Sequence, residues 1–246
     1  MSIRSHAELE KLRAIGRIVR QALDTVATAI RPGISTGELS QIGARVLTEN
    51  GAEAAPPKTY GFPAALCISV NDEAIHGVPG ERVLESGDLV KLDLVAEKDG
   101  YYADAAVTIS VGEPESTARA LMRCAEGAFA RAAAVATAGN RVCEIGRAVE
   151  SETRRRGFQV IRELCGHGVG RAIHEPPNVP NYYDPRCRTR LSEGLVITIE
   201  PIVAAGRGHC VLQPDGWTVR TADGALSAHY EHTLVITKTA PILLTA

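Results

Sequence analysis

Residues 89–110, LVKLDLVAEKDGYYADAAVTIS, set carboxylates inside two apolar, strand-like runs: Asp93 falls in the middle of KLDLV and Asp104 at the start of the run that follows. The same oddity recurs downstream. VITIEPIV ends an apolar run on Glu200, and HYEHTLVIT opens one with Glu231. A carboxylate withdrawn from water is costly unless it is paired or bound to metal. Four of them gathered without cations would raise one another's pKa, whereas two divalent ions, in the usual arrangement about 3.5–4 Å apart, supply matching charge. Oxygen ligands alone suit Mg or Ca, and an imidazole moves the preference toward Mn, Fe, Co or Zn. Three histidines stand in suggestive settings: His167 in CGHGVG, His174 in AIHEPP and His76 in NDEAIHGVP. The glycines flanking His167 are expected to let backbone and substrate come close. His6, His209, His229 and His232 have no comparable setting and read as structural or solvated. His232 points to the strand face opposite Glu231, which makes it a candidate support from behind. The residues alone describe a dinuclear metal hydrolase using a bridging water, with the substrate open.

Around this core the chain alternates between helical and strand-like stretches. Apolar residues spaced by three and four from Leu9 to Ile30 predict one amphipathic helix over residues 7–30, ended before Pro32-Gly33. A second helix starts near Ser35–Gly37 and runs through Ala52. Short apolar runs then follow at Cys67–Val70, Leu89–Val95 and Ala105–Val111, separated by turn residues. Two more helices, Ser116–Ala138 and Val142–Arg156, precede strands from Val160 onward. The order repeats, and a shift of 106 aligns Gly33 with Gly139, Glu38 with Glu144, Gly51 with Gly157 and Leu89-Val90 with Leu195-Val196. Beyond an extra hairpin at Gln213–Gly224, a shift of 127 aligns Asp104 with Glu231. Each repeat thus delivers two carboxylates toward the middle. The expectation is a pseudo-twofold α+β protein, one domain over residues 1–246 with repeat halves 7–112 and 113–246, a central antiparallel sheet and covering helices.

The composition is ordinary: 246 residues, 45% hydrophobic and 23% charged, with 27 Lys plus Arg against 29 Asp plus Glu. That balance offers no global attraction to phosphate, so no nucleic-acid partner is expected. No apolar run approaches the ~20 residues of a membrane span, and MSIRSHAELEKLRAIGR lacks the apolar core of a signal peptide. A cytoplasmic location with no membrane partner is expected. Six cysteines without a CxxC pair exclude a zinc ribbon or thioredoxin-type motif and read as small buried hydrophobes.

The strings RPGISTGEL, CISVNDEAIHGVP, LVKLDLVAEKDGYYAD, ELCGHGVGRAIHEPP, TIEP and DGWTVRTADGALSAHYEHT, in this order over nearly the whole chain, resemble type I methionine aminopeptidases of the pita-bread metallopeptidase fold. The resemblance implies a curved central sheet and two divalent metal ions (Co, Mn, Fe or Zn) held by Asp93, Asp104, His167, Glu200 and Glu231. Asp104 and Glu231 would bridge the ions, and Glu200 would accept a proton from the activated water. His174 would meet the scissile carbonyl, and His76 the amide at the cleaved bond. Tyr60, Phe62, Cys67, Ile173 and Trp217 match the family's methionine pocket, whose walls suit a thioether. Thr59, where the family often has Tyr, and Ala103, where it often has Gly, are departures. The implied activity is metal-dependent removal of N-terminal methionine before a small second residue, acting as a monomer on the N-termini of nascent polypeptides with the ribosome as a candidate partner. The rivals are a same-fold enzyme preferring Xaa-Pro peptides and a non-catalytic interaction protein of that fold, which would be expected to have lost ligands.

Overall fold

The structure is a computed structural model that describes residues 1–246. Its first part runs α1 (His6–Ala29), α2 (Thr36–Glu49), β1 (Glu53–Ala54), α3 (Ala55–Tyr60), β2 (Cys67–Val70), β3 (Glu73–Ile75), β4 (Leu89–Lys98) and β5 (Tyr101–Ser110). The second begins α4 (Ser116–Val135), α5 (Val142–Arg155), β6 (Gln159–Val160), β7 (Cys165–Gly168), β8 (Glu175–Pro180) and β9 (Val196–Ile199). It ends β10 (Ile202–Ala204), β11 (Cys210–Leu212), β12 (Val219–Thr221), β13 (Ser227–His229), β14 (Glu231–Val235) and β15 (Ile242–Leu243). The expected helices are all present, shortened at their C-terminal ends. α2 opens with a capping box in which the Ser35 hydroxyl accepts the Glu38 N–H and the Glu38 carboxylate accepts the Ser35 N–H. It stops at Glu49 rather than Ala52 because Gly51 turns left-handed, with φ 63°. The short α3 escaped the pattern reading. Prolines in its first turn, where no N–H is needed, start it.

The offset of 106 carries through to the elements. α2 and α5 are both 14 residues long and begin at Thr36 and Val142, and β1 and β6 begin at Glu53 and Gln159, the same distance apart. The main sheet has nine antiparallel strands in the order β1-β4-β5-β14-β9-β7-β8, with β2 on β4 and β15 on β14. Strand alternation gives each face its own chemistry. Leu92, Leu94, Ala103 and Ala105 point to the face covered by α1, where they join Leu12, Ile15 and Val19 in a core of 28 buried residues. Ile197, Ile199 and Leu234 do the same beside Ala128, Ile145 and Val149 of α4 and α5, in a second core of 15. Burying each of the leucine, isoleucine and valine side chains contributes about 1.5–3 kcal/mol, which holds the sheet against its helices. The opposite face takes Asp93, Asp104 and Glu231.

The seam between the two parts is the β5–β14 pairing, and its ladder is only two pairs long, Glu231 opposite Ala106 and His232 opposite Ala105. At either end a threonine hydroxyl takes over from the backbone. Thr233 accepts the Asp104 N–H at 2.9 Å and donates to the Asp104 carbonyl at 2.8 Å. Thr108 accepts the His229 N–H at 2.8 Å and donates to the His229 carbonyl at 2.7 Å. The hydroxyls keep the backbone polar groups paired where the strands spread apart, so the sheet opens beneath the carboxylates without leaving buried amides bare.

Candidate metal centre

Five neighbouring strands, or the residue directly after one, each bring one of the five predicted ligands to the helix-free face: Asp93 on β4, Asp104 on β5, Glu231 on β14, Glu200 just after β9 and His167 on β7. Direct opposition ties them in register, since Asp93 faces Ala106 and Ala106 faces Glu231, all sharing one side of the sheet. One ligand atom from each of Asp104, His167 and Glu231 lies within 4.8 Å of the others. His167 Nε2 is 3.7 Å from Asp104 Oδ2 and 3.6 Å from Glu200 Oε2. The other ring nitrogen, Nδ1, lies 2.9 Å from the Gly168 carbonyl, which fixes it as the donor and leaves Nε2 as a free lone pair.

The electrostatics are those of acidic groups crowded together out of water. Burial lifts Asp93 to about 7 and Glu200 to about 8, the latter against a hydrogen bond from Thr198 that favours the ionised form. Asp104 and Glu231 are pushed well above the carboxylate range, first by burial and then by the charges of their acidic neighbours. Burial, with His174 nearby, lowers His167 to about 4, so its imidazole is neutral at pH 7, the form a metal takes. Asp104 Oδ1 and Glu231 Oε1 are buried with no hydrogen-bond partner. Protein carboxylates buried in this way almost always have a partner, so the orphaned oxygens beside a free imidazole lone pair fit a divalent cation.

One cavity joins the ligands to the rest of the predicted site: Tyr60, Phe62, Cys67, His76, Ile173, His174 and Trp217 all line it. Each has a local reason to be there. His76 sits in a turn pinned against β2, where the Gly77 N–H bonds Ser69 Oγ at 2.9 Å and Gly77 O accepts the Ile68 N–H. A Cβ on Gly77 would come within 2.4 Å of the Ile68 carbonyl, so only glycine allows the approach, and His76 itself adopts the left-handed region at φ 56°. Tyr60 ends α3 ahead of the left-handed Gly61, and its hydroxyl lies 2.7 Å from His174 Nδ1. Trp217 sits in the turn between β11 and β12, held by Asp215, whose carboxylate accepts the N–H groups of Trp217 and Thr218. Its ring meets Phe62 edge-on at 5.3 Å. Cys67 lies opposite Asp93 in the β2–β4 ladder, its thiol pushed up by burial and then by the acidic groups beside it. Thr59 is exposed on α3, and Ala103 is fully buried opposite Ala96 on the helix-covered face, so neither departure touches a ligand.

The glycines flanking His167 admit neighbouring backbone, as expected: a Cβ on Gly166 would meet the Thr198 carbonyl at 2.7 Å, and one on Gly168 the Pro176 carbonyl at 2.4 Å. Two readings need correction. His232 does not back Glu231. It is enclosed on the helix side with Nδ1 2.9 Å from Thr245 Oγ1, Nε2 3.1 Å from Tyr230 Oη and its ring against Phe129. His229, read as structural or solvated, lines the cavity instead, with Nε2 3.4 Å from Glu231 Oε2. The signal was present, because a residue two before Glu231 on an extended chain shares its face. Thr198 was also passed over. Its hydroxyl accepts the His167 N–H at 3.0 Å and donates to Glu200 Oε2 at 2.8 Å, coupling two predicted ligands. His6 and His209 are exposed. All six cysteines are free, three buried and three half-buried.

The sequence profile of metallopeptidase family M24 matches residues 10–238. Methionine aminopeptidase 2 of Bacillus subtilis (strain 168) is 46% identical over 247 residues, spanning 100% of this chain and 99% of that protein. The crystal structure of methionine aminopeptidase from Rickettsia prowazekii superposes with a TM-score of 0.96 at 32% identity, covering 100% of both chains. Prolidase from Pyrococcus furiosus superposes with a TM-score of 0.81 at 27% identity, over 99% of this chain and 65% of that one. The two enzymes share the pita-bread architecture, but full-length likeness in sequence and structure singles out the first. With its acid-and-imidazole cavity in the matched segment, the chain belongs to metallopeptidase family M24 and, within it, to the methionine aminopeptidases, which are metal-dependent exopeptidases.

Proposed function

We propose that residues 1–246 form one catalytic domain, with repeat halves 7–112 and 113–246, that removes the N-terminal methionine from polypeptides whose second residue is small. Asp93, Asp104, His167, Glu200 and Glu231 would hold two divalent ions. When bound, the cations acidify a water in the site and draw charge from a carbonyl oxygen. The chain's own groups do the rest. Glu200, hydrogen-bonded by Thr198, accepts and returns a proton at its carboxylate oxygen. His174, held through Nδ1 by Tyr60, presents Nε2 to the carbonyl of the bond to be cut, and His76 presents its ring to the amide. Phe62, Cys67, Ile173 and Trp217 supply apolar walls for a thioether side chain, and Tyr60 stands at the mouth, 49% exposed.

The observation that carries this reading is the set of five ligand-type side chains on adjoining strands, with Asp104 Oδ1 and Glu231 Oε1 buried and unpartnered among them. In this reading the enzyme is a cytoplasmic monomer acting on N-termini of nascent chains, with the ribosome as a candidate partner. No helix is long and apolar enough to cross a membrane. The test is hydrolysis of Met-Ala-Ser after chelation, with Mn, Fe, Co and Zn restored separately, against Xaa-Pro peptides as competitors. Metal-restored cleavage of Met-Ala-Ser is expected. Faster cleavage of Xaa-Pro peptides would overturn the assigned substrate, and full activity in chelator would overturn the metal centre.

A further inference from the structure

His229 has the environment of a working residue and no role so far. Its side chain is 2% exposed, and neither ring nitrogen has a hydrogen-bond partner. Its backbone is locked on both sides, by the Thr108 hydroxyl on one flank and by pairing with Ile202 of β10 on the other. The ring points into the cavity toward Glu231, where Nε2 lies 3.4 Å from Oε2. A buried imidazole with both polar atoms empty is costly to keep. A shift of a few tenths of an ångström turns the approach to Glu231 into a hydrogen bond of ordinary length. Groups that fix a ligating carboxylate from behind set which of its oxygens faces the cation.

We propose that His229 is a positioning residue of the metal centre, its Nε2–H donating to Glu231 Oε2 and so holding Glu231 in the orientation that presents its other oxygen, the unpartnered Oε1, to the cations. This rests on the metal-centre reading above. It assigns His229 to the carboxylate and not to the cations, a distinction that two substitutions make measurable. His229→Gln keeps an N–H donor near Oε2, and His229→Leu keeps the bulk without the donor.

The experiment is calorimetric titration of Mn²⁺ into chelator-treated full-length protein, wild type and both variants, with thermal melts of each metal-free form. His229→Leu is expected to bind Mn²⁺ about 10–100-fold more weakly and to lose kcat on Met-Ala-Ser while KM stays within about threefold, with His229→Gln restoring Mn²⁺ affinity to within about threefold. Wild-type Mn²⁺ affinity in His229→Leu would overturn the proposal, as would a His229→Gln variant that binds as weakly as His229→Leu. Should His229→Leu fail to fold, the visible spectrum of Co²⁺-loaded His229→Gln decides. Bands matching wild type are expected, and the loss of a nitrogen ligand's contribution would overturn the assignment. A wild-type protein that binds no Mn²⁺ would sink the metal centre itself, an outcome separate from any difference between variants.

Discussion

The metal-free protein is expected to lose stability as pH rises from 5 to 8, the reverse of what paired surface carboxylates produce. Burial lifts Glu200 from its ordinary 4.5 to about 8. Across that window the folded state keeps a proton that the unfolded chain has already released. The unfolded state then binds fewer protons, so the unfolding free energy falls with pH: the contribution is whole below the unfolded pKa and gone above the folded one. Glu200 is only 8% exposed, so solvent screens little of the effect. For Glu200 alone, the loss between pH 5 and 8 comes to roughly 3–4 kcal/mol at about 1.36 kcal/mol per pK unit. For a chain of this size that corresponds to a fall of roughly 10 °C in Tm. Asp93, lifted to about 7, acts in the same direction. Cations bind the ionised carboxylates, so saturating Mn²⁺ should flatten or invert the slope and release protons as it binds. The assay is a series of thermal melts in chelator and in Mn²⁺ at half-unit pH steps, with Glu200→Gln alongside. A metal-free Tm that is level or rises from pH 5 to 8 would refute the reasoning, and so would a Glu200→Gln variant with the wild-type slope.

Asp104→Asn or Glu231→Gln should lower both metal stoichiometry and turnover, the latter by more than about a hundredfold because the cations supply several kcal/mol of transition-state stabilisation; metal analysis beside Met-Ala-Ser kinetics checks this. Thr198→Val removes one hydroxyl that serves His167 and Glu200 together and should weaken Mn²⁺ binding about 10–100-fold, while Thr198→Ser retains it; equal affinities in calorimetry would contradict the coupling. Trp217→Ala removes the edge-on partner of Phe62 and should cut kcat/KM for methionyl peptides by roughly 2–10-fold from the lost aromatic pair, more as pocket wall is lost, with metal content unchanged. Steady-state kinetics with metal analysis of the same samples tests it.

What the sequence made legible follows from periodicity. The four carboxylates stood out because each falls within or at the edge of an apolar run, and the offsets of 106 and 127 paired their strands. α2 with α5 and β1 with β6 keep the offset of 106. Three things lay beyond that reading. The threonines Thr108, Thr198 and Thr233 look like ordinary strand residues, since β-branched side chains are expected there, and their role depends on where the ladders break, a property of the assembled sheet. His229 was missed because its setting was judged by adjacent glycines rather than by the two-residue spacing that puts it beside Glu231. The glycines around His167 were read as positions of close approach, but which backbone approaches them is visible only in the packed strands, where β8 and β9 fill that space.

The position of β14 bears on how the molecule comes together. This strand arrives late in the chain yet lies at the centre of the main sheet, between β5 and β9. Until it is placed, each of those strands presents a bare hydrogen-bonding edge to whatever chain is near, and contacts spanning more than a hundred residues must form before the edges close. Glu231 rides on that strand, so the acidic cluster is incomplete in any state of the chain in which β14 has not yet paired with β5 and β9.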